Sequence, residues 1–226
     1  IFTKLIKEIT VAAKLGGGDP GGNPRLRAAI EAARAANMPG DNIKRAVQKG
    51  TGELPGQQIE EIAYEGYGPG GVAIYVQALT DNKNRTLPEI RHLFAKYGGN
   101  LGEQNSVAWM FETKGYIVVD KGHLSEDDLM ETVLEAGGED LRDDGESYEV
   151  FTAPEAYQRV REALEKKGIP IATGEVAKIP KNRIRVEGKK AQNLLNMMEA
   201  LEDHEDVQHA YANFDIPDEE LDRRAS

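Results

Sequence analysis

The chain has 226 residues, a formal net charge of −11, 39% hydrophobic and 6% aromatic residues, and no cysteine. That length suits one large domain or two to three small ones of an ordinary globular protein. The lack of cysteine excludes disulfides, thiolate metal sites and Cys nucleophiles, and fits a reducing cytosol. No apolar run approaches the roughly 20 residues of a membrane helix and no signal peptide is visible, so a cytoplasmic protein without a membrane partner is expected.

The charge is unevenly placed. Residues 1–50 carry nine Lys/Arg against four Asp/Glu, whereas residues 51–226 carry 19 against 35. Such a split suits a polyanion-facing module on an acidic body, and it equally suits solvated helix faces with an accidental imbalance.

Three helices are expected in residues 1–50. Ile1, Leu5, Ile6, Ile9 and Ala13 form a first stripe, stopped by Gly16-Gly17-Gly18. Asn23 is placed as an N-cap with Pro24 at the first helical position, and Leu26, Ile30, Ala33 and Asn37 share one face. Met38-Pro39-Gly40 breaks that helix; Asp41 is expected to cap the third, which buries Ile43, Ala46 and Val47 and stops at Gly50. The loop "GGGDPGGNP" lacks the Gly-Lys-Ser/Thr of a P-loop and reads as a helix connection.

After a turn-rich linker at 51–57, strand and helix alternate. "IEEIAYEGYG" and the apolar run Gly71 to Leu79 read as strands, Asn84 to Tyr97 as a helix and Ser106 to Glu112 as a strand. From Gly115 the order is strand, helix with Ser125 as N-cap, a hairpin across Gly145, a helix opened by Pro154, and a strand. This is the complete ferredoxin-like β-α-β-β-α-β unit. "RIRVEG", "AQNLLNMMEALEDH" and "DVQHAYANF" follow as strand, helix and strand. The expected fold is therefore α+β: a basic helical domain (1–50), then a discontinuous ferredoxin-like domain (58–114 and 181–226) with a second one (115–180) inserted.

Enzyme chemistry finds no motif. Ser106, Ser125, Ser147 and Ser226 are the four serines, none in a Gly-x-Ser-x-Gly elbow. His204 and His209 lack the i, i+4 spacing of a helical zinc pair, and acidic runs such as "SEDD" and "PDEE" read as caps and solvated faces. No catalytic residue, metal or cofactor is expected.

The most informative stretch is "LTDNKNRTLPEIRHL", Leu79 to Leu93, where a central strand ends in seven polar residues with no glycine. On the helix that follows, Leu87, Ile90, Phe94 and Tyr97 form the inner stripe, while Arg85, Glu89, His92 and Lys96 share the opposite face. A cationic face near a helix N-terminus could bind phosphate. A local explanation competes with it: Asp81, Asn82 and Asn84 can cap strand end and helix start, and Glu89 can pair with Arg85.

The segments Asn23 to Gly50, Tyr64 to Thr86 and Glu89 to Gly115 together resemble the YebC/PmpR family, which includes the mitochondrial translational activator of cytochrome oxidase subunit one. The resemblance runs through the whole chain and implies a helical first domain plus two ferredoxin-like domains, one inserted in the other. It also implies a DNA-binding transcriptional regulator, or a translation factor acting at the ribosome. Members usually open with a Lys/Arg/His-rich segment, which does not precede Ile1 here, and Gln104-Asn105 stands where a glycine is expected, which predicts an altered turn.

Three functions compete: DNA-binding regulator, ribosomal-RNA-binding translation factor, and protein–protein adaptor working through the acidic body. No base-reading helix-turn-helix and no RNA-reading sheet motif is recognisable, so backbone or shape recognition is the expected mode. The candidate nucleic-acid contacts are Lys4, Lys7 and Lys14 on the first helix, Arg25, Arg27 and Arg34 on the second, Lys44, Arg45 and Lys49 on the third, and Arg85, His92 and Lys96 beyond the central strand. Asn23, Asp41, Asn82 and Asn84 are the expected caps.

Overall fold

The computed structural model describes residues 1–122 and 124–225. Helices α1 (Phe2–Gly16), α2 (Pro24–Ala35) and α3 (Gly40–Thr51) come first. Buried Asn23 organises the turn between the first two. Its Oδ1 accepts the N–H of Leu26 at 3.1 Å, and its Nδ2 donates to the carbonyls of Ala12 and Gly17 at 2.8 and 2.9 Å. One side chain thus starts α2 and ties it to the end of α1. Ile9, Ala12, Leu26, Ile30, Met38, Ile43 and Ala46 form the shared core. A Cβ on Gly50 would lie 2.3 Å from the Thr10 carbonyl oxygen, so glycine sets how closely α3 approaches α1.

Several helix ends differ from expectation. Asp41 is not the cap of α3. Extended Pro39 holds that place, and its carbonyl accepts from Asn42 and Ile43, leaving Asp41 in the first turn where its charge suits the helix dipole. The helix runs past Gly50 to Thr51 and ends on left-handed Gly52. Asn37 is not on the inner face of α2; it is exposed and left-handed, with φ 61°, just beyond the helix. Ile1 is almost fully exposed as the N-cap residue of α1.

The chain continues through β1 (Glu60–Tyr67), β2 (Ala73–Thr80), α4 (Lys83–Lys96) and β3 (Asn100–Leu101), then β4 (Phe111–Asp120), α5 (Glu126–Glu135), β5 (Gly138–Asp143), β6 (Ser147–Thr152), α6 (Tyr157–Lys166) and β7 (Ile171–Pro180). It ends with β8 (Ile184–Arg185), α7 (Gly188–Asp203), β9 (Val207–Ala212), β10 (Phe214–Asp215) and α8 (Asp218–Ala225). Two compact units result, Ile1–Met110 with Asn182–Ser226, and Phe111–Lys181.

In the first unit an antiparallel sheet of order β3-β1-β2-β9 packs Ile74, Val76 and Ala78 against Ile90 and Phe94 of α4 and Leu194, Met197 and Leu201 of α7. In the second unit a sheet of order β5-β6-β4-β7 packs Ile117, Val119 and Val150 against Leu129 and Val133 of α5 and Val160 and Leu164 of α6. The architecture is α+β, three helices and two ferredoxin-like folds.

Two expected strands are displaced. Residues 106–110 form a loop and a short 3-10 turn, Ala108–Met110, and the third strand of the first sheet is the two-residue β3. The cause is Glu65, whose buried carboxylate accepts the N–H groups of Asn105, Val107 and Ala108 that a strand ladder would have used. Asn105 takes the left-handed conformation (φ 68°) that the expected glycine would have supplied. Of "RIRVEG", only Ile184–Arg185 pairs, parallel to β10 and outside the four-stranded sheet, because β9 occupies the place beside β2.

At the end of β2 the polar stretch is a strand stop and a cap. Asn82, not Asn84, caps α4: its Oδ1 accepts from Arg85 N at 3.2 Å, while Asn84 lies exposed in the first turn. Asn82→Ala is therefore expected to cost about 1 kcal/mol in urea unfolding and Asn84→Ala less than about 0.5 kcal/mol. We further propose that Phe111–Lys181 is an autonomous inserted domain. Excised, it should unfold in one cooperative calorimetric transition; a broad or absent transition would refute its independence.

Candidate nucleic-acid interface

The basic side chains of the first unit fall into two groups. One group is spent on internal pairs. Asp206, at the start of β9, is 2% exposed. Its carboxylate accepts from Lys7 Nζ at 2.7 Å, Arg85 Nη2 at 2.9 and 3.1 Å, and Thr86 Oγ1 at 2.8 Å. Burial works against its charge, but the bonds from Lys7, Arg85 and Thr86 prevail and lower the pKa from 3.8 to about 2. Arg25 is held by Glu8 at 2.7 Å and Glu61 at 3.0 Å. Lys4 donates to the Glu202 carbonyl and Lys14 to Gln58. Arg45 is bound to its own helix through Asn42 and the Asp41 carbonyl.

The other group is open. Arg34, Lys44 and Lys49 are exposed, Arg27 is half-buried, and none has an ion pair among the described residues. Arg27 and Arg34 share a face of α2 at i, i+7; on α3, Lys49 lies one turn beyond the internally bound Arg45. On α4, His92 and Lys96 lie exposed at i, i+4, and Lys96 sits 5.3 Å above the Tyr97 ring. Exposed Arg91, which the helical spacing alone did not single out, lies beside them. Ile90 and Phe94 are fully buried beneath, and Leu87 and Tyr97 are half-buried.

Arg85 leaves this open face. It is bound to Asp206 and to Asp81 at 3.2 Å, so Asp81 is an ion-pair partner and the expected Arg85–Glu89 pair does not form. Glu89 instead meets His204 Nε2 at 2.7 Å. Because His204 Nδ1 accepts the Asp206 N–H at 3.1 Å, the ring proton lies on Nε2 and points to Glu89. Glu89, His204 and Asp206 bring their ligand atoms within 4.8 Å of one another. The donor set is a poor one for a cation: the ring presents a proton rather than a lone pair, and the Asp206 oxygens already serve two cations and a hydroxyl.

Two family models match the chain, the TACO1/YebC protein N-terminal domain over residues 1–53 and the TACO1/YebC second and third domain over residues 59–214. The chain belongs to the TACO1/YebC family. It is 57% identical over 223 residues to a probable transcriptional regulatory protein of Geobacter sulfurreducens, covering 99% of this chain and 90% of the relative. A probable transcriptional regulatory protein of Solibacter usitatus is 57% identical over 221 residues, 98% and 89% of the two chains. The crystal structure of a conserved hypothetical protein from Aquifex aeolicus superposes with a TM-score of 0.86 at 49% identity, covering 96% of this chain and 89% of that one.

Within this TACO1/YebC chain, sequence reasoning found the cations and missed what neutralises them. Asp206 opens the expected strand "DVQHAYANF", where it reads as one more surface acid, and only the β2–β9 pairing carries it to Thr86. Asp206→Asn should destabilise the protein by roughly 3 kcal/mol at neutral pH, since it leaves Lys7 partly buried and unpaired. The folded pKa lies below the unfolded one, so the contribution of the carboxylate, roughly 2 kcal/mol, is complete above about pH 4 and is lost as pH falls through about 2. In urea unfolding, the difference between wild type and variant should shrink over that window; a constant difference would contradict the account.

Proposed function

We propose that the chain is a DNA-binding transcriptional regulator that grips the sugar–phosphate backbone through Arg27, Arg34, Lys44 and Lys49. The observation that carries this reading is the division of cations: in the first three helices these four have neither an ion pair nor a side-chain hydrogen bond among the described residues, while Lys7 and Arg25 are neutralised by carboxylates and Lys4, Lys14 and Arg45 are bound to carbonyl or amide oxygens. Phosphate contacts position a protein without reading bases, which suits helices whose open faces carry Arg and Lys. His92 and Lys96 on α4 form a second, smaller cationic face suited to the same backbone. The names of the relatives, probable transcriptional regulatory proteins, support the regulatory role and are not enzyme names. No helix among the described residues is long and apolar enough to cross a membrane, in keeping with work in the cytoplasm.

The test is a salt titration on duplex DNA. The logarithm of affinity should fall linearly with the logarithm of salt, by about 0.9 per neutralised phosphate. Arg34→Ala with Lys44→Ala and Lys49→Ala should lower the slope by about that amount for each phosphate no longer neutralised and leave the melting temperature nearly unchanged. Arg25→Ala should act the other way, lowering stability with little change in slope. An unchanged slope in the triple variant would remove the proposed interface. Crosslinking that recovered ribosomal RNA instead of DNA would remove the transcriptional role.

A further inference from the structure

Trp109, the single tryptophan of the chain, is 65% exposed. It follows directly on a loop that is unusually well held. Gly102 N–H bonds the Glu65 carbonyl at 2.8 Å, Val107 is fully buried, and the Glu65 carboxylate, itself 3% exposed, accepts Asn105 N–H at 2.7 Å, Val107 N–H at 3.1 Å and Ala108 N–H at 2.6 Å. The indole N–H donates to Ser106 O at 3.1 Å, fixing the ring to that same loop. A buried carboxylate is costly unless fully hydrogen-bonded, and here its bonds are spent on a surface loop. The result is a large ring held rigidly in water, with its ordering cost already met before any partner arrives.

We propose that Trp109 stacks on an unpaired nucleobase; this rests on the nucleic-acid-binding reading above and adds a single-strand contact to it. A protein pocket would favour a ring inside an exposed apolar patch, whereas Ala108 and Met110, which flank Trp109, are half-buried and the exposed residues of the preceding loop are Glu103, Gln104 and Asn105. A base offers a π-face to the indole and a polar edge to the Gln104 and Asn105 amides. In a paired duplex the bases stack on one another and leave no free face for the indole, so a duplex is a poor ligand here.

The sole tryptophan makes the test direct. Labelled single-stranded DNA, single-stranded RNA of the same sequence, and duplex DNA are titrated in turn, with probe anisotropy reporting binding and Trp109 emission reporting stacking. Single strands should quench Trp109 saturably, and duplex should bind without quenching; the two single-stranded arms show whether one sugar is preferred. Trp109→Ala should weaken single-strand binding by roughly 5- to 150-fold and leave duplex binding unchanged, while Trp109→Phe should restore most of the loss. Glu65→Gln keeps the ring but presents a donor to backbone N–H groups; it should lower the emission anisotropy of Trp109 and give intermediate affinity. Single-strand binding with neither quenching nor sensitivity to Trp109→Ala would overturn the stacking contact and leave the backbone-binding reading standing. No binding to any of the three nucleic acids would overturn both. Emission that shifts only with protein concentration would place the ring between two copies of the chain and also overturn it.

Discussion

Asp206 is the point on which the first unit depends. A carboxylate this deeply buried costs several kcal/mol in desolvation unless its oxygens are filled. They are filled from two helices: Lys7 of α1, and Arg85 and Thr86 at the start of α4. Its own backbone continues the ties, with its N–H bonding His204 and its carbonyl accepting from Leu79. The first helix, the end of the central strand, the cap of α4 and the start of β9 are thereby fixed by one residue. Thr80 completes the arrangement, its hydroxyl lying 2.7 Å from that of Thr86 and accepting the Asn82 N–H at 3.0 Å.

This constraint also decides which charges face outward. Every cation drawn to a carboxylate of the same unit is subtracted from any surface for a polyanion. Lys7, Arg25 and Arg85 are subtracted in this way, while Arg27, Arg34, Lys44 and Lys49 on α2 and α3 and Lys96 on α4 are held by no carboxylate among the described residues. The remaining cations belong to a chain of net charge −11, so attraction to nucleic acid is local and orientation-dependent. An acidic body repels phosphates wherever the cationic helices do not face them.

The periodic elements were legible in the sequence because one residue type decides each of them. Asn23 before Pro24, Ser125 before α5, and the apolar run of β2 each specify local structure through a cap or a pattern that tertiary contacts reinforce. The misreadings arise where a distant side chain takes backbone groups or charges. Val107 and Ala108 look like strand, but Glu65, some 40 residues earlier, accepts their N–H groups. Arg85 looks like an open phosphate ligand, but Asp206, 121 residues later, holds it. Asn82 and Asn84 are equally good caps by type; only the turn geometry set by Thr80 selects the first.

Glu65 and Asp206 solve the same problem by different means, and the difference has consequences. Asp206 is satisfied mainly by side chains, so substitution at Lys7, Arg85 or Thr86 can alter its balance and redirect cations to or from the surface. Glu65 is satisfied by backbone N–H groups, which every residue but proline supplies. The side chains of 103, 104 and 109 are then free to vary while the loop backbone stays held, whereas position 105, at φ 68°, is confined to residues that tolerate the left-handed conformation. A loop restrained in this way can change its contact chemistry without losing its shape, as Asn105 illustrates by keeping a left-handed turn without a glycine. Contacts that tolerate change belong on the Glu65 loop, and the fixed geometry of the unit belongs to Asp206.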